Sequence, residues 1–214
     1  MKKYELTSET KMVCGITLHR IRALIDIKRW DVKSGDIGGW IESEANLDQS
    51  GEAWVFGEAW VFGEARVSDE ARVFGEAWVF GEARVSDEAR VSGEARVSGR
   101  AWVSDKARVS GEARVSGKAR VSGEARVSGE ARVSKCTHML TVGRIGSRND
   151  ITTFFQTRSA SGFAISVSCG CFCGTVAEFR REVAKTHGDN KHGRVYQLAA
   201  DLAEAQIELD VEAQ

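Results

Sequence analysis

Proline is absent from this chain, and histidine occurs only four times, as His19, His138, His187 and His192. Without proline no φ angle is preset, so turns must come from other residue types. No apolar run approaches the roughly 18–20 residues a membrane-spanning helix needs, so no membrane partner is expected. No apolar stretch follows Met1-Lys2-Lys3-Tyr4-Glu5, so no signal peptide is expected. An excess of either charge is also missing. Thirty basic residues meet 31 acidic ones, for a net charge of −1. No overall field then gathers nucleic acid or an anionic membrane, and acidic mimicry of DNA is equally disfavoured. The five cysteines, Cys14, Cys136, Cys169, Cys171 and Cys173, are odd in number and clustered. They read as reduced thiols of a cytoplasmic protein.

What the chain has in quantity is repetition. Residues 51–134 form fourteen consecutive six-residue units of the pattern G/D-(E/R/K)-A-(R/W)-V-(S/F), without insertion or break. Ala and Val stand two apart with Arg or Trp between them. In a strand that spacing turns Ala and Val inward and the charged or aromatic residues outward. The step into Gly or Asp is the corner. Asp replaces Gly only at 69, 87 and 105, each 18 residues from the next, so three units are expected to make one coil. The aromatics keep the same interval: Phe56 and Phe74, Phe62 and Phe80, Trp60 and Trp78.

The outward positions leave alternatives open. The arginine columns are either a surface neutralised by the glutamates two positions earlier or an anion-binding ladder for phosphates or acidic partners. Trp54, Phe56, Trp60, Phe62, Phe74, Trp78 and Phe80 crowd the first five units, and large apolar patches mark contact surfaces. Three uses compete: packing of a terminal segment, an interface between copies in a dimer or trimer, and a foreign partner or ligand. Trp102 stands alone and reads as incidental.

A solenoid must have its ends covered. Residues 1–50, with strand-like runs in 2–7 and 12–27 and turns at Lys33-Ser34-Gly35-Asp36 and Gly38-Gly39, read as an N-terminal β cap. Residues 135–214 read as a ββαα module. Its strands are Ile151–Thr157 and Phe163–Cys169, joined through Ser159-Ala160-Ser161-Gly162. A capping box at Thr175-Val176-Ala177-Glu178 opens a first helix with a Val176, Phe179, Val183 stripe, ended by His187-Gly188. A second helix is expected from about Arg194 to Leu209, burying Val195, Leu198, Leu202, Ala205 and Leu209. Cys169-Gly170-Cys171-Phe172-Cys173 would put three thiols on one strand face. The spacing is poor for zinc, so no metal is expected and free thiols are. His187, Asp189, Asn190 and His192 form a loop that either caps and joins the helices or holds a ligand.

The repeat resembles the hexapeptide left-handed parallel β-helix. Lys3-Tyr4-Glu5-Leu6, Gly38-Gly39-Trp40-Ile41 and the Trp-Val units resemble the YdcK-like family of bacterial and phage-borne proteins, some labelled acetyltransferases. Gly146-Ser147-Arg148-Asn149-Asp150, Cys169-Gly170-Cys171-Phe172 and His187-Gly188-Asp189-Asn190 resemble a small module of phage and prophage proteins. The fold expected is therefore mainly β, a left-handed β-helix of three hexapeptides per coil with a small C-terminal ββαα module. The divisions are 1–50, 51–134 and 135–214. Acyltransferases of this fold rely on a catalytic His and commonly on a loop thrown out of a coil. Residues 51–134 hold neither, and the nearest histidine is His138. No catalytic residue and no cofactor is assigned. The expected function is binding by a phage or prophage protein in the host cytoplasm, as an inhibitor of a host defence protein or as a ligand binder. An acyltransferase and a self-assembling structural protein are the alternatives.

Overall fold

The computed structural model describes residues 2–160 and 162–211. Ser161, part of the expected hairpin turn, lies outside the described residues.

Each repeat unit contributes one two-residue strand. The series runs every six residues from β4 (Trp54–Val55) and β5 (Trp60–Val61) to β17 (Arg132–Val133). Strands pair in parallel with the strand 18 residues on, Arg90 with Arg108 and Val91 with Val109. The chain is thus a parallel β-solenoid of about five turns whose strands divide among three sheets. Every repeat Ala and Val is 0–1% exposed. Only the smallest aliphatic pair, repeated, fills so narrow an interior without a gap. Backbone bonds between coils, such as Arg84 N to Ala101 O at 2.9 Å, satisfy the strand groups.

The corners explain the glycines and their exceptions. The first residue of every unit has φ between 56° and 73°, a region that costs most L-residues but is tolerated by Gly and sometimes Asp. Asp69, Asp87 and Asp105 also use their carboxylates there. Asp105 accepts the Gly123 N–H at 2.8 Å, and Asp87 accepts the Asp105 N–H at 3.3 Å. Each therefore ties its corner to the next coil.

The N-terminal end is closed by β1 (Tyr4–Val13), β2 (Ile16–Ala23) and β3 (Ile37–Ile41). The first two form an antiparallel hairpin, and β3 pairs in parallel with β5, Trp40 against Trp60. Gly38 and Gly39 are required by proximity. A Cβ on Gly38 would stand 2.7 Å from the Val55 carbonyl, and one on Gly39 2.6 Å from Val55 Cγ1. Their lack of side chains lets β3 cross the open first coil. Asn46, fully buried, donates to the carbonyls of Gly63 and Ala65, both at 2.9 Å. It supplies donors where no further strand exists. Lys3 is buried and donates to the carbonyls of Ser50 and Ala53.

The other end is closed by a sheet of four strands, where two were expected. These are β18 (Met139–Ile145), β19 (Asp150–Ser159), β20 (Gly162–Cys169) and β21 (Phe172–Thr175). The two unforeseen strands are edges, short or interrupted by Gly143 and Gly174, which hid them from pattern reading. β19 lies on the last coil through an Ala131–Thr157 bridge. Its alternation serves two cores. Phe155 enters the solenoid interior, and Phe154 enters the core shared with the helices.

Helix α1 (Val176–His187) carries the expected capping box and buries Val176, Phe179 and Val183. Helix α2 (Lys191–Gln206) corrects the expectation in start and in face. It buries Gly193, Tyr196, Ala199, Ala200 and Ala203, while Leu198 and Leu202 are 66% and 51% exposed. Small residues let α2 approach closely. A Cβ on Gly146 would fall inside the Tyr196 ring, and one on Gly193 would collide with the Gly188 carbonyl. Among the described residues, no helix is long and apolar enough to cross a membrane.

Candidate functional site

The expected aromatic surface is largely occupied by the chain itself. Trp54 keeps the outward side of its strand, in register with Arg72, but is only 1% exposed, because Tyr4 of the cap covers it edge-on at 6.2 Å. Trp60 and Trp78 stack at 4.6 Å. Lys11 lies over Trp60 at 4.9 Å, Arg20 over Trp40 at 4.4 Å and Arg96 over Trp78 at 4.4 Å. Glu58 joins the cluster, accepting from the Trp40 indole at 3.0 Å and from Arg20 at 2.8 Å. Burial opposes ionisation of Glu58, but these donors hold its carboxyl below the usual range. On the next face, Arg72 lies 4.9 Å from both Phe56 and Phe74 and 4.7 Å from Trp30. Phe62 and Phe80 stack at 5.1 Å and stay half-buried.

The third face differs. Its strands are β6 (Arg66–Val67), β9 (Arg84–Val85), β12 (Trp102–Val103) and β15 (Arg120–Val121), in register. The outward column therefore reads Arg66, Arg84, Trp102, Arg120, about 4.8 Å apart. Trp102 is 39% exposed, the most exposed aromatic ring of the repeat. Its indole donates to Ser86 Oγ at 3.1 Å, and Ser86 donates to Asp87 at 3.0 Å. The ring stands as a wall across the column. Between it and the N-terminal cap at Glu44, Ala45, Asp48 and Gln49 lies a groove of about 770 Å³ floored by Arg66 and Arg84 and edged by Asp69 and Asp87. A second compartment of about 560 Å³ continues past Arg100 and Arg120. Such volumes suit small ligands.

The two readings of the arginine columns turn on what surrounds the guanidiniums of this face, and the groove also carries Glu44, Asp48, Asp69 and Asp87. Among the described residues, Arg66 and Arg84 form no ion pair and no side-chain hydrogen bond. The repeat glutamates that do pair serve other elements: Glu70 and Glu88 both bind Arg29 of the cap. Neighbouring guanidiniums one strand apart, without a counter-ion, favour an anion between them.

Trp102 was read as incidental along the sequence. A signal for it existed. The second position of the repeat is Glu in eleven units and basic in three, Arg100, Lys106 and Lys118, and the first two of these flank Trp102.

The loop residues separate. Asn190 caps α2, accepting from the His192 and Gly193 N–H groups at 2.8 and 3.0 Å. His187 lies 5.7 Å from Tyr196 and 6.0 Å from His192, ring to ring, and Asp189 faces solvent. His187 and Tyr196 border a cleft of about 360 Å³ that also touches Cys169. The three clustered cysteines do not share a strand face. Cys169 ends β20, Cys171 is in the turn and Cys173 is in β21. Arg148 donates to Cys171 Sγ at 3.3 Å and its charge holds that thiol below the usual range. His138 is fully buried under the last coil, 3.4 Å from Gln156 and 3.5 Å from Asp210.

Among known families, a model described as YdcK Beta solenoid repeat matches residues 107–123. No curated protein matches the chain.

Proposed function

We propose that this chain is a non-catalytic binding protein whose solenoid presents an anion-recognising face. The observation that carries this reading is the Arg66–Arg84–Trp102–Arg120 column, whose guanidiniums form no ion pair among the described residues and line an open groove that also carries Glu44, Asp48, Asp69 and Asp87. Residues 1–50 and 135–214 serve as the two caps of a repeat domain at 51–134. The coil is left-handed with three hexapeptides per turn, a proposal supported by the 18-residue pairing offset. The resemblance of both ends of the chain to phage-borne sequences supports a phage or prophage source. The proposed setting is then the host cytoplasm and the proposed target a host protein or ligand, with inhibition of a defence protein as the biological outcome. Phe56, Trp60, Phe62, Phe74, Trp78 and Phe80 are the proposed contact between copies in an oligomer, and Trp54 is withdrawn from that set because it is buried.

The test uses the full chain and its Arg66→Gln/Arg84→Gln variant, each incubated with host lysate and recovered. Mass spectrometry then identifies retained proteins and small molecules. The expected result is a species held by the parent and lost from the variant. Equal recovery from both, or recovery of nothing, refutes the reading.

A further inference from the structure

We propose that the groove on the third face binds a small nucleotide, with its base against Trp102 and its phosphates on Arg66 and Arg84. This rests on the binding function proposed above and names the ligand class.

The argument starts from what is fixed before a ligand arrives. Trp102 is held by the relay from its indole N–H to Ser86 Oγ and on to the Asp87 carboxylate. Asp87 is itself held by the Asp105 N–H. A large aromatic side chain exposed to water and fixed in orientation offers a stacking face at little entropic cost. Arg120 lies over the indole at 5.4 Å but is not part of the larger compartment. The ring therefore meets that compartment from the side of Arg84 and Arg66.

Those two arginines lie about one and two strand spacings from Trp102, roughly 5 and 10 Å. Both stand on the side of the ring toward which a nucleotide stacked there would extend its phosphates. Guanidinium groups bind phosphate oxygens through paired N–H donors, and among the described residues no side chain or carbonyl accepts from those of Arg66 and Arg84.

The remaining lining argues for a small ligand over a polymer. Asp69 and Asp87 stand beside the arginine floor of the larger compartment, Glu44 and Asp48 stand at its cap end, and Glu64 and Glu82 line the second compartment. A strand of nucleic acid would run its phosphates past these carboxylates at a repulsive cost. A mononucleotide confines its charge to the arginine floor and turns sugar hydroxyls and base N–H groups, which are donors, toward the acids. The cap closes the far end with Glu44, Ala45, Asp48 and Gln49, Glu44 being paired with Lys2 at 2.7 Å and Asp48 accepting the Ser50 N–H at 2.9 Å, and this closure also limits length.

The repeat provides its own control. Trp102→Arg restores the residue found at this position in most units, so the coil is retained while the stacking face is lost. Calorimetry of the full chain with ADP, adenosine, inorganic diphosphate and an eight-residue oligothymidylate tests the proposal. ADP should bind more tightly than adenosine or diphosphate. Trp102→Arg and Arg84→Gln should each weaken ADP about tenfold, while Trp102→Phe stays within about threefold. Thermal melting checks that each variant is folded. ADP affinity no better than that of its two parts, or unchanged in both variants, overturns the proposal. If only the oligothymidylate binds, the nucleotide assignment fails while the binding function stands. If none of the four binds and the lysate experiment still recovers an arginine-dependent partner, the same separation holds.

Discussion

Phe155→Ala and Phe154→Ala are adjacent substitutions expected to weaken two different cores. Both rings are fully buried, Phe155 within the solenoid interior and Phe154 in the core with Phe179 and Val167. Phe155 meets the last coil where no further Ala-Val layer follows. Removing its ring takes out on the order of 100 Å³, and if half stays empty the cavity costs about 1 kcal/mol. Lost transfer from water adds about 2–3 kcal/mol, for a total of about 3–4 kcal/mol. Against a typical stability of about 5–15 kcal/mol, that opens the end of the rod without unfolding it. Hydrogen exchange should show it as faster exchange at the last coil, including the Arg114 N–H that bonds the Ala131 carbonyl. The amides of α1 should be little changed. Phe154→Ala should do the reverse, because its ring stands edge-on to Phe179 at 5.9 Å. If both variants loosen the same amides, β19 does not divide its faces between two cores.

Three further outcomes follow from the caps and corners. Burial pushes the Lys3 ammonium down to about 8, against the pull of Asp48 and Glu52. Lys3 is protonated in both states below about pH 8; above it the unfolded chain binds more protons, up to about pH 10.4, so stability rises with pH. Buried Tyr4, raised above its ordinary range by burial and by Glu44 and Asp48, reverses the slope above about pH 10. Melts between pH 7 and 10 should show a rise that Lys3→Met abolishes; a flat parent curve contradicts the assignment. Asn46→Ala should cost about 3 kcal/mol in denaturant titration by orphaning the Gly63 and Ala65 carbonyls, and a loss under about 1 kcal/mol would mean water replaces it. Gly111→Ala and Gly129→Ala share φ values of 66° and 64°, but only the first would press a Cβ to 2.9 Å from the next coil. Gly129→Ala should cost about 1 kcal/mol and Gly111→Ala more, so equal losses would show that the coils do not constrain each other there.

How far the molecule was legible depended on the distance over which each residue's contacts run. The strands could be read because Gly or Asp marks every corner and Ala-x-Val alternates across every face, all within six residues. The interval of Asp69, Asp87 and Asp105 is the offset at which strands pair, since each carboxylate serves the corner of the next coil. Trp54 could not be told from Trp60, because its burial comes from Tyr4, fifty residues upstream in the chain and above it in space. Helix α2 misled for a different reason. Leu198 and Leu202 carry more apolar area than Ala199 and Ala203, but Tyr196 must reach Gly146 and Gly193 must clear the Gly188 carbonyl, so closeness of approach chose the buried face.

Trp102 shows both effects at once. Read along the chain it is one tryptophan among serines and arginines. Read down its column it interrupts Arg66, Arg84 and Arg120 and leans on Ser86, sixteen residues earlier. A solenoid makes its sites between coils, so the residues that build one are neighbours at the coil interval and strangers at every shorter one. The departures from a repeat are therefore better aligned at that interval before any of them is set aside as incidental. Aligned so, Arg100, Trp102 and Lys106 form one local change of charge and shape beside the Asp87 corner, on the face where the cap leaves the column open.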